Sequence, residues 1–366
     1  MRAQIRRAQI RRAQTGRAQT GRAQTGRAQT GRAQTGRAQT GRAQMRRARM
    51  AQAVALVAAL TLLAAAGCSG DSSPLPGRPT APVTGASPTT PAAPVDASCN
   101  ARASLRPAGA LPTPGKMPAG SYMAKIQARG RLVLGTSQDT LLFSSRNPVT
   151  GVVEGFDVDM GRQIAQAIFG DPNKIQIKVI AYDKRVSSAM DGSVDIVADT
   201  MTANCARWKD VDFSSIYYEA GQKVLVSKTS TAKSIEDLGG KKVCAAKGST
   251  SYDNIGKVAA KPIAVARPGF GDCLVAFQQN EVDAIATDDT ILVGLAAQDP
   301  YAKVIGPRFT EEPYGMAIAK THPEFTKFVN AVLEKNRANG TWKSTYERWL
   351  GDSGAAPQPP VAQYQD

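Results

Sequence analysis

Two short segments of this 366-residue chain place carboxylates and hydroxyls directly after an apolar run. Asp191-Gly-Ser-Val-Asp-Ile-Val-Ala198 leads into Asp199-Thr-Met-Thr202, and Gln279-Asn-Glu-Val-Asp-Ala-Ile-Ala286 leads into Thr287-Asp-Asp-Thr290. Each reads as the end of a helix, a turn, a strand and then a polar cluster at the strand's C-terminal end. Open α/β sheets present ligand contacts at that edge. The groups suit the capture of a small polar molecule. The single histidine, His322, stands in Thr-His-Pro before a late helix and reads as a loop residue, so a Ser-His-Asp triad is excluded unless it reaches the cleft. No nucleophile elbow or phosphate loop occurs, and no Cys/His spacing suggests a metal or cofactor. Acids such as Asp288 remain able to do acid–base work, which keeps an enzyme as a rival class.

The elements that must position these clusters alternate. Strands are expected at Arg131–Gly135, Ile175–Ile180, Val194–Ala198, Gln222–Val226, Lys241–Ala245, Asp283–Ala286 and Tyr314–Ala319. Helices are expected at Asp157–Phe169, Val186–Asp191, Thr250–Ala259, Asp272–Gln279, Thr290–Ala297, Glu324–Ala338 and Thr341–Leu350. In the first of them Val158, Ile164, Ala165 and Ile168 share a face; in the last, Trp342, Tyr346 and Trp349 are candidate core. This alternation means an α/β fold with mixed sheets, and the two similar polar clusters suggest two lobes facing a cleft.

The charge belongs elsewhere. Of the net +16, residues 1–50 carry +14 through fourteen arginines with no acid, leaving +2 on the other 316 residues. That distribution argues against nucleic-acid binding by the folded part. Residues 1–44 are a pentapeptide repeat, Gly-Arg-Ala-Gln-Thr for most of its length, with no apolar periodicity; they are read as disordered or untranslated, with Met45 or Met50 as the start. Met45-Arg-Arg-Ala-Arg-Met50 and the apolar run Ala51–Ala66 form a signal-like segment. Ala65-Ala66-Gly67-Cys68 resembles the bacterial lipobox, which implies lipidation of Cys68 and a chain exported and anchored to the outer face of the cytoplasmic membrane. Eleven of the 22 prolines fall between Ser69 and Gly120, as expected of an extended linker. Four further cysteines in an exported chain imply two disulfides, with three connectivities open. Cys244 and Cys273 fall in the same expected lobe, which favours Cys244–Cys273 and leaves Cys99–Cys205.

Gly155-Phe-Asp-Val-Asp-Met160, followed by Ile164-Ala165 and Ile168, resembles the signature of the family 3 extracellular solute-binding proteins, and the likeness runs in order over Ser121 to Gly351. The resemblance implies the type II periplasmic-binding-protein fold: two α/β lobes joined by two strands, with crossings near Gln222–Ser227 and Glu312–Met316. The implied layout is lobe 1 at 121–226 and 313–351, lobe 2 at 227–312, and a disordered tail at 352–366. It also implies a monomeric receptor that hands an amino acid to an ABC permease. Arg207 matches the family's clamp for an α-carboxylate, a role its planar guanidinium fork suits. Thr200 and Thr202 match positions holding the α-groups. Gly248-Ser249-Thr250 looks like a second carboxylate contact through hydroxyl and helix N-terminal N–H groups, and Asp288 like the acid that binds the ammonium.

Arg185 matches the position that meets a side-chain carboxylate in glutamate and aspartate receptors. Thr140 stands where the family commonly has an aromatic platform, which implies a small polar pocket to which Ser137 and Gln138 contribute. Aspartate or glutamate is therefore expected first, then asparagine or glutamine. Two alternatives remain at this level: a sensory receptor that signals to a membrane partner, and a dehydratase on the same fold.

Overall fold

The computed structural model describes residues 99–365; the Arg-rich repeat, the signal-like segment with Cys68 and the linker up to residue 98 lie outside the described residues. Among the described residues no helix is long and apolar enough to cross a membrane, and no cluster of side chains could hold a metal ion.

Two five-stranded mixed sheets organise the chain. In the first, the order is Ile175–Val179, Leu132–Thr136, Ile196–Val197, Ala317–Ala319, Val211–Phe213, with only Ala317–Ala319 antiparallel to its neighbours. Helix Phe156–Phe169 lies on it because Phe156, Met160, Ile164 and Ile168 recur at helical spacing and are all fully buried. Gly155 begins that helix at φ 149°, where a Cβ would sit 2.1 Å from the Phe143 carbonyl oxygen, so only glycine fits. In the second sheet, Ile263–Arg267, Lys242–Ala246 and Ala284–Asp288 run parallel, and Gln222–Ser227 runs antiparallel between Ala284–Asp288 and Ala302–Ile305. Each sheet has its own apolar core, the first closed by Phe325, Trp342 and Tyr346, the second by Phe270, Phe277 and Leu292.

The lobes are joined by an antiparallel pair, Tyr218–Ala220 with Glu312–Tyr314, in register Glu219 to Pro313. This corrects the first expected crossing. Gln222–Ser227 is a full member of the second sheet, so the crossing lies one strand earlier and the second lobe begins near Gly221. The Tyr314–Ala319 strand is also two strands, Glu312–Tyr314 and Ala317–Ala319, because Gly315 and Met316 carry the chain from hinge to sheet.

Two expectations about the termini are overturned. Residues 99–120, read as linker, pack on the first lobe: Ser104 is fully buried between the Phe213 carbonyl and the Asn330 amide, and Met117 joins the core. The tail, read as disordered, ends in strand Gln363–Gln365, parallel to Ala103–Leu105, with the Tyr364 hydroxyl donating to Glu334. Proline content concealed both, because their order comes from long-range pairing rather than local propensity. The disulfides are Cys99–Cys205 and Cys244–Cys273.

Candidate functional site

The C-terminal ends of the strands in both sheets meet across one cleft. From the first lobe come Arg185, the loop Asp199–Thr202, and the one-turn helix Cys205–Trp208 that carries Arg207. From the second come Gly248–Thr250 and Asp288, and the hinge contributes Glu312 and Tyr314. The lobes touch here: Thr202 Oγ1 lies 3.3 Å from Thr250 Oγ1, and the Arg207 guanidinium donates to the Gly248 carbonyl at 3.1 Å.

The two arginines have uncharged partners. Arg185, 3% exposed, donates to the carbonyls of Tyr182, Asp199 and Gly248. Arg207 donates to the carbonyls of Thr202 and Gly248. Desolvation, with the neighbouring Arg185 charge, lowers the Arg207 pKa to about 9, so it still carries its proton at neutral pH. Opposite stands Asp288, whose carboxyl is pushed well above the ordinary carboxylate range by burial and by the Glu312 charge. Its Oδ2 accepts from the Tyr314 hydroxyl at 2.6 Å, and its Oδ1 is buried without a partner. Thr200 Oγ1 and Asp199 Oδ2 are likewise buried and unpartnered. Buried polar atoms are ordinarily satisfied, so three such atoms in cleft-lining segments single out this cleft as the candidate site.

The loop is braced from beneath. Thr200 sits in the left-handed region (φ 44°), and its N–H donates to Asp157 Oδ2 at 2.6 Å while the Tyr217 hydroxyl donates to Oδ1 at 2.7 Å. Burial raises the Asp157 pKa to about 7. The first acid of Gly-Phe-Asp-Val-Asp therefore supports the Asp199–Thr202 loop from within the first lobe.

Arg207, Arg185, Thr200, Thr202, Thr250 and Asp288 are thus brought together. Ser137 and Ser249 stand behind them. The Ser137 hydroxyl bonds those of Thr140 and Ser144, and its N–H donates to Asp199 Oδ1. Ser249 caps helix Thr250–Ile255, accepting from the Tyr252 N–H and donating to the Ala246 carbonyl, so its hydroxyl is spent on positioning Thr250.

Two residues escaped the sequence reading. Glu312 accepts from the hydroxyls of Thr202 (2.6 Å), Thr250 (2.7 Å) and Thr310 (2.7 Å) and from the Asn254 amide (3.0 Å), tying both lobes to the hinge. Its one signal was an acid inside an expected crossing strand. Tyr182 supplies a ring beside Thr140: its hydroxyl lies 2.6 Å from Thr140 Oγ1, and the Arg185 guanidinium sits over the ring at 4.7 Å. His322 stacks on Tyr122 within the first lobe.

Two α/β lobes, two connecting strands and a polar cleft between the lobes are the architecture of a solute-binding receptor. Residues 132–352 match the bacterial extracellular solute-binding proteins, family 3, and the chain belongs to that family. It is 38% identical over 234 residues to the ABC transporter glutamine-binding protein GlnH of Bacillus subtilis, covering 64% of this chain and 86% of the relative. Against the glutamate-binding protein GluB of Corynebacterium glutamicum the identity is 29% over 243 residues, covering 63% and 82%. Among solved structures, an ancestral arginine-binding protein bound to glutamine superposes with a TM-score of 0.57 at 34% identity, over 61% of this chain and 99% of that one.

Proposed function

We propose that the protein captures a polar amino acid by hinge closure and presents it to an ABC permease. One observation carries this reading: Arg207 from the first lobe and Asp288 from the second face one cleft, a cation for an α-carboxylate and a carboxyl with a free buried oxygen for an α-ammonium. A zwitterion bridges the lobes only when they are closed, so its binding energy is what drives closure.

The side-chain end of the cleft belongs to Arg185. The buried Asp199 carboxyl lies within its field and offsets part of its charge. An amide, which accepts from a guanidinium and donates to a free carboxylate oxygen, fits that pair better than a second carboxylate does. Glutamine therefore stands ahead of glutamate, aspartate and asparagine. The names of the relatives at 38% and 40% identity, both glutamine-binding proteins, support the same order. Export and a lipid anchor at Cys68 complete the proposal, resting on the signal-like segment and the lipobox match.

Calorimetric titration against the twenty standard amino acids tests it. Glutamine is expected to bind most tightly, with glutamate second. No saturable heat with any of them would remove the receptor reading, and a preference for lysine or arginine would overturn the placement of Arg185.

A further inference from the structure

Arg207 does its work from a helix of four residues, Cys205–Trp208, and a single helical turn does not hold itself in water. Its guanidinium has one bond within its own lobe, to the Thr202 carbonyl at 2.7 Å, and one across the cleft, to Gly248 at 3.1 Å. When the lobes part the second is lost. Within the first lobe the turn then keeps its Asn204 cap, which accepts from the Arg207 N–H at 2.9 Å, and the contact of Trp208 with Phe213, and needs further support while the first contact with solute is made.

The segment Cys99–Leu105 lies against that helix. Cys99 is bonded to Cys205, the first residue of the turn, over a sequence separation of 106. The carbonyl of Ala101 accepts from the Trp208 indole N–H at 2.9 Å, at the other end of the turn. Arg102 then reaches both hinge strands, pairing with Glu219 in one and, at 2.9 Å, with Glu311 beside the other. Ser104 and strand pairing with Gln363–Gln365 fix the far end of the segment in the first lobe.

We infer that Cys99–Leu105 is a positioning strap: by a disulfide and an indole hydrogen bond it clamps both ends of the Arg207 helix, and through Arg102 it fixes that helix relative to the hinge. The inference rests on the reading of Arg207 as the α-carboxylate clamp. Glu311 is largely in water, so its pairing with Arg102 is worth little in stability by itself. The covalent bond at Cys205 and the indole bond at Trp208 carry the positioning, and neither touches the solute.

A purely structural bridge would affect melting but not discrimination at the α-carboxylate. The probes are therefore L-glutamine against L-glutaminamide, and L-glutamate against L-isoglutamine, each pair differing only in an α-carboxylate changed to a neutral amide. For Cys99→Ser/Cys205→Ser, the Kd for the free amino acid is expected to rise about tenfold, and the preference over the α-amide to fall by about the same factor, on the scale of one charge-assisted hydrogen bond. Cys244→Ser/Cys273→Ser, which removes the disulfide of the other lobe, should lower the melting temperature and leave the preference unchanged. Trp208→Phe keeps the ring and removes only the indole donor. It should move the preference in the same direction by a smaller factor, and it carries the test should the first variant not fold. Unchanged preference in folded Cys99→Ser/Cys205→Ser, or in Trp208→Phe if that variant does not fold, overturns the strap. No binding of either pair by the wild-type protein would instead remove the glutamine and glutamate assignment on which it rests.

Discussion

At the scale of single residues the proposed function divides the site into groups that would bind every amino acid and groups that would choose among them. On that reading Arg207 and Asp288 belong to the first kind. Arg207→Ala leaves an α-carboxylate without its cation in a closed cleft, and about a hundredfold loss of affinity for all ligands is expected by calorimetry. Arg185→Ala should keep binding while shifting the glutamate-to-glutamine ratio about tenfold against glutamate, since a carboxylate loses more than an amide. Asp288 makes a further prediction through its raised pKa. Without ligand its carboxyl holds a proton to higher pH than an ordinary aspartate. An ammonium at Oδ1 favours the ionised form and lowers that pKa, so binding releases the proton and affinity falls as pH drops through the raised value. Titrations in two buffers of different ionisation heat should show proton release, which Asp288→Asn abolishes; proton uptake would place the ammonium elsewhere.

At the scale of elements, legibility followed the range of the interactions. The strand-turn-cluster repeat was readable because alternation and turn chemistry are local, and it placed Thr200, Thr202 and Asp288 at strand ends where they stand. Strand Ile263–Arg267 was missed because no face of it is fully buried, so its apolar pattern is weak. Strands Ala103–Leu105 and Gln363–Gln365 were missed for another reason: each exists only as the other's partner, at the two ends of the described chain. The site divides in the same way. Arg207 could be found from its segment, whereas Glu312 acquires a role only when Thr202, Thr250 and Asn254 from two lobes converge on it. Asp157 was legible as part of a motif but not as a brace, because its partner Thr200 is 43 residues away.

At the scale of the whole molecule, the proposed closure depends on how closely the two lobes can approach, and at Gly248 that approach sets backbone tightly against backbone. Gly248 adopts φ +77°, and a Cβ there would lie 2.6 Å from the Asp183 Cα in the opposite lobe. The same loop offers its carbonyl to Arg185 and Arg207, so on the proposed reading close approach and binding coincide. Around it the lobes meet through Lys247 with Asp183 at 3.2 Å, and through the Gly271 N–H donating to Asp139 at 2.9 Å. Backbone cannot yield as a flexible side-chain tip would, so a methyl group at 248 should hold the lobes apart. Gly248→Ala is expected to cost about 1 kcal/mol in the unliganded protein, from the left-handed backbone alone. Ligand affinity should fall further, by about ten- to a hundredfold, because closure and the bonds to Gly248 are lost together. Small-angle scattering separates the two effects. The wild-type radius of gyration should contract on adding glutamine, and that of Gly248→Ala should not, even at concentrations that saturate the open cleft. Equal contraction in both would mean that the lobes close by a path that does not bring Gly248 against Asp183.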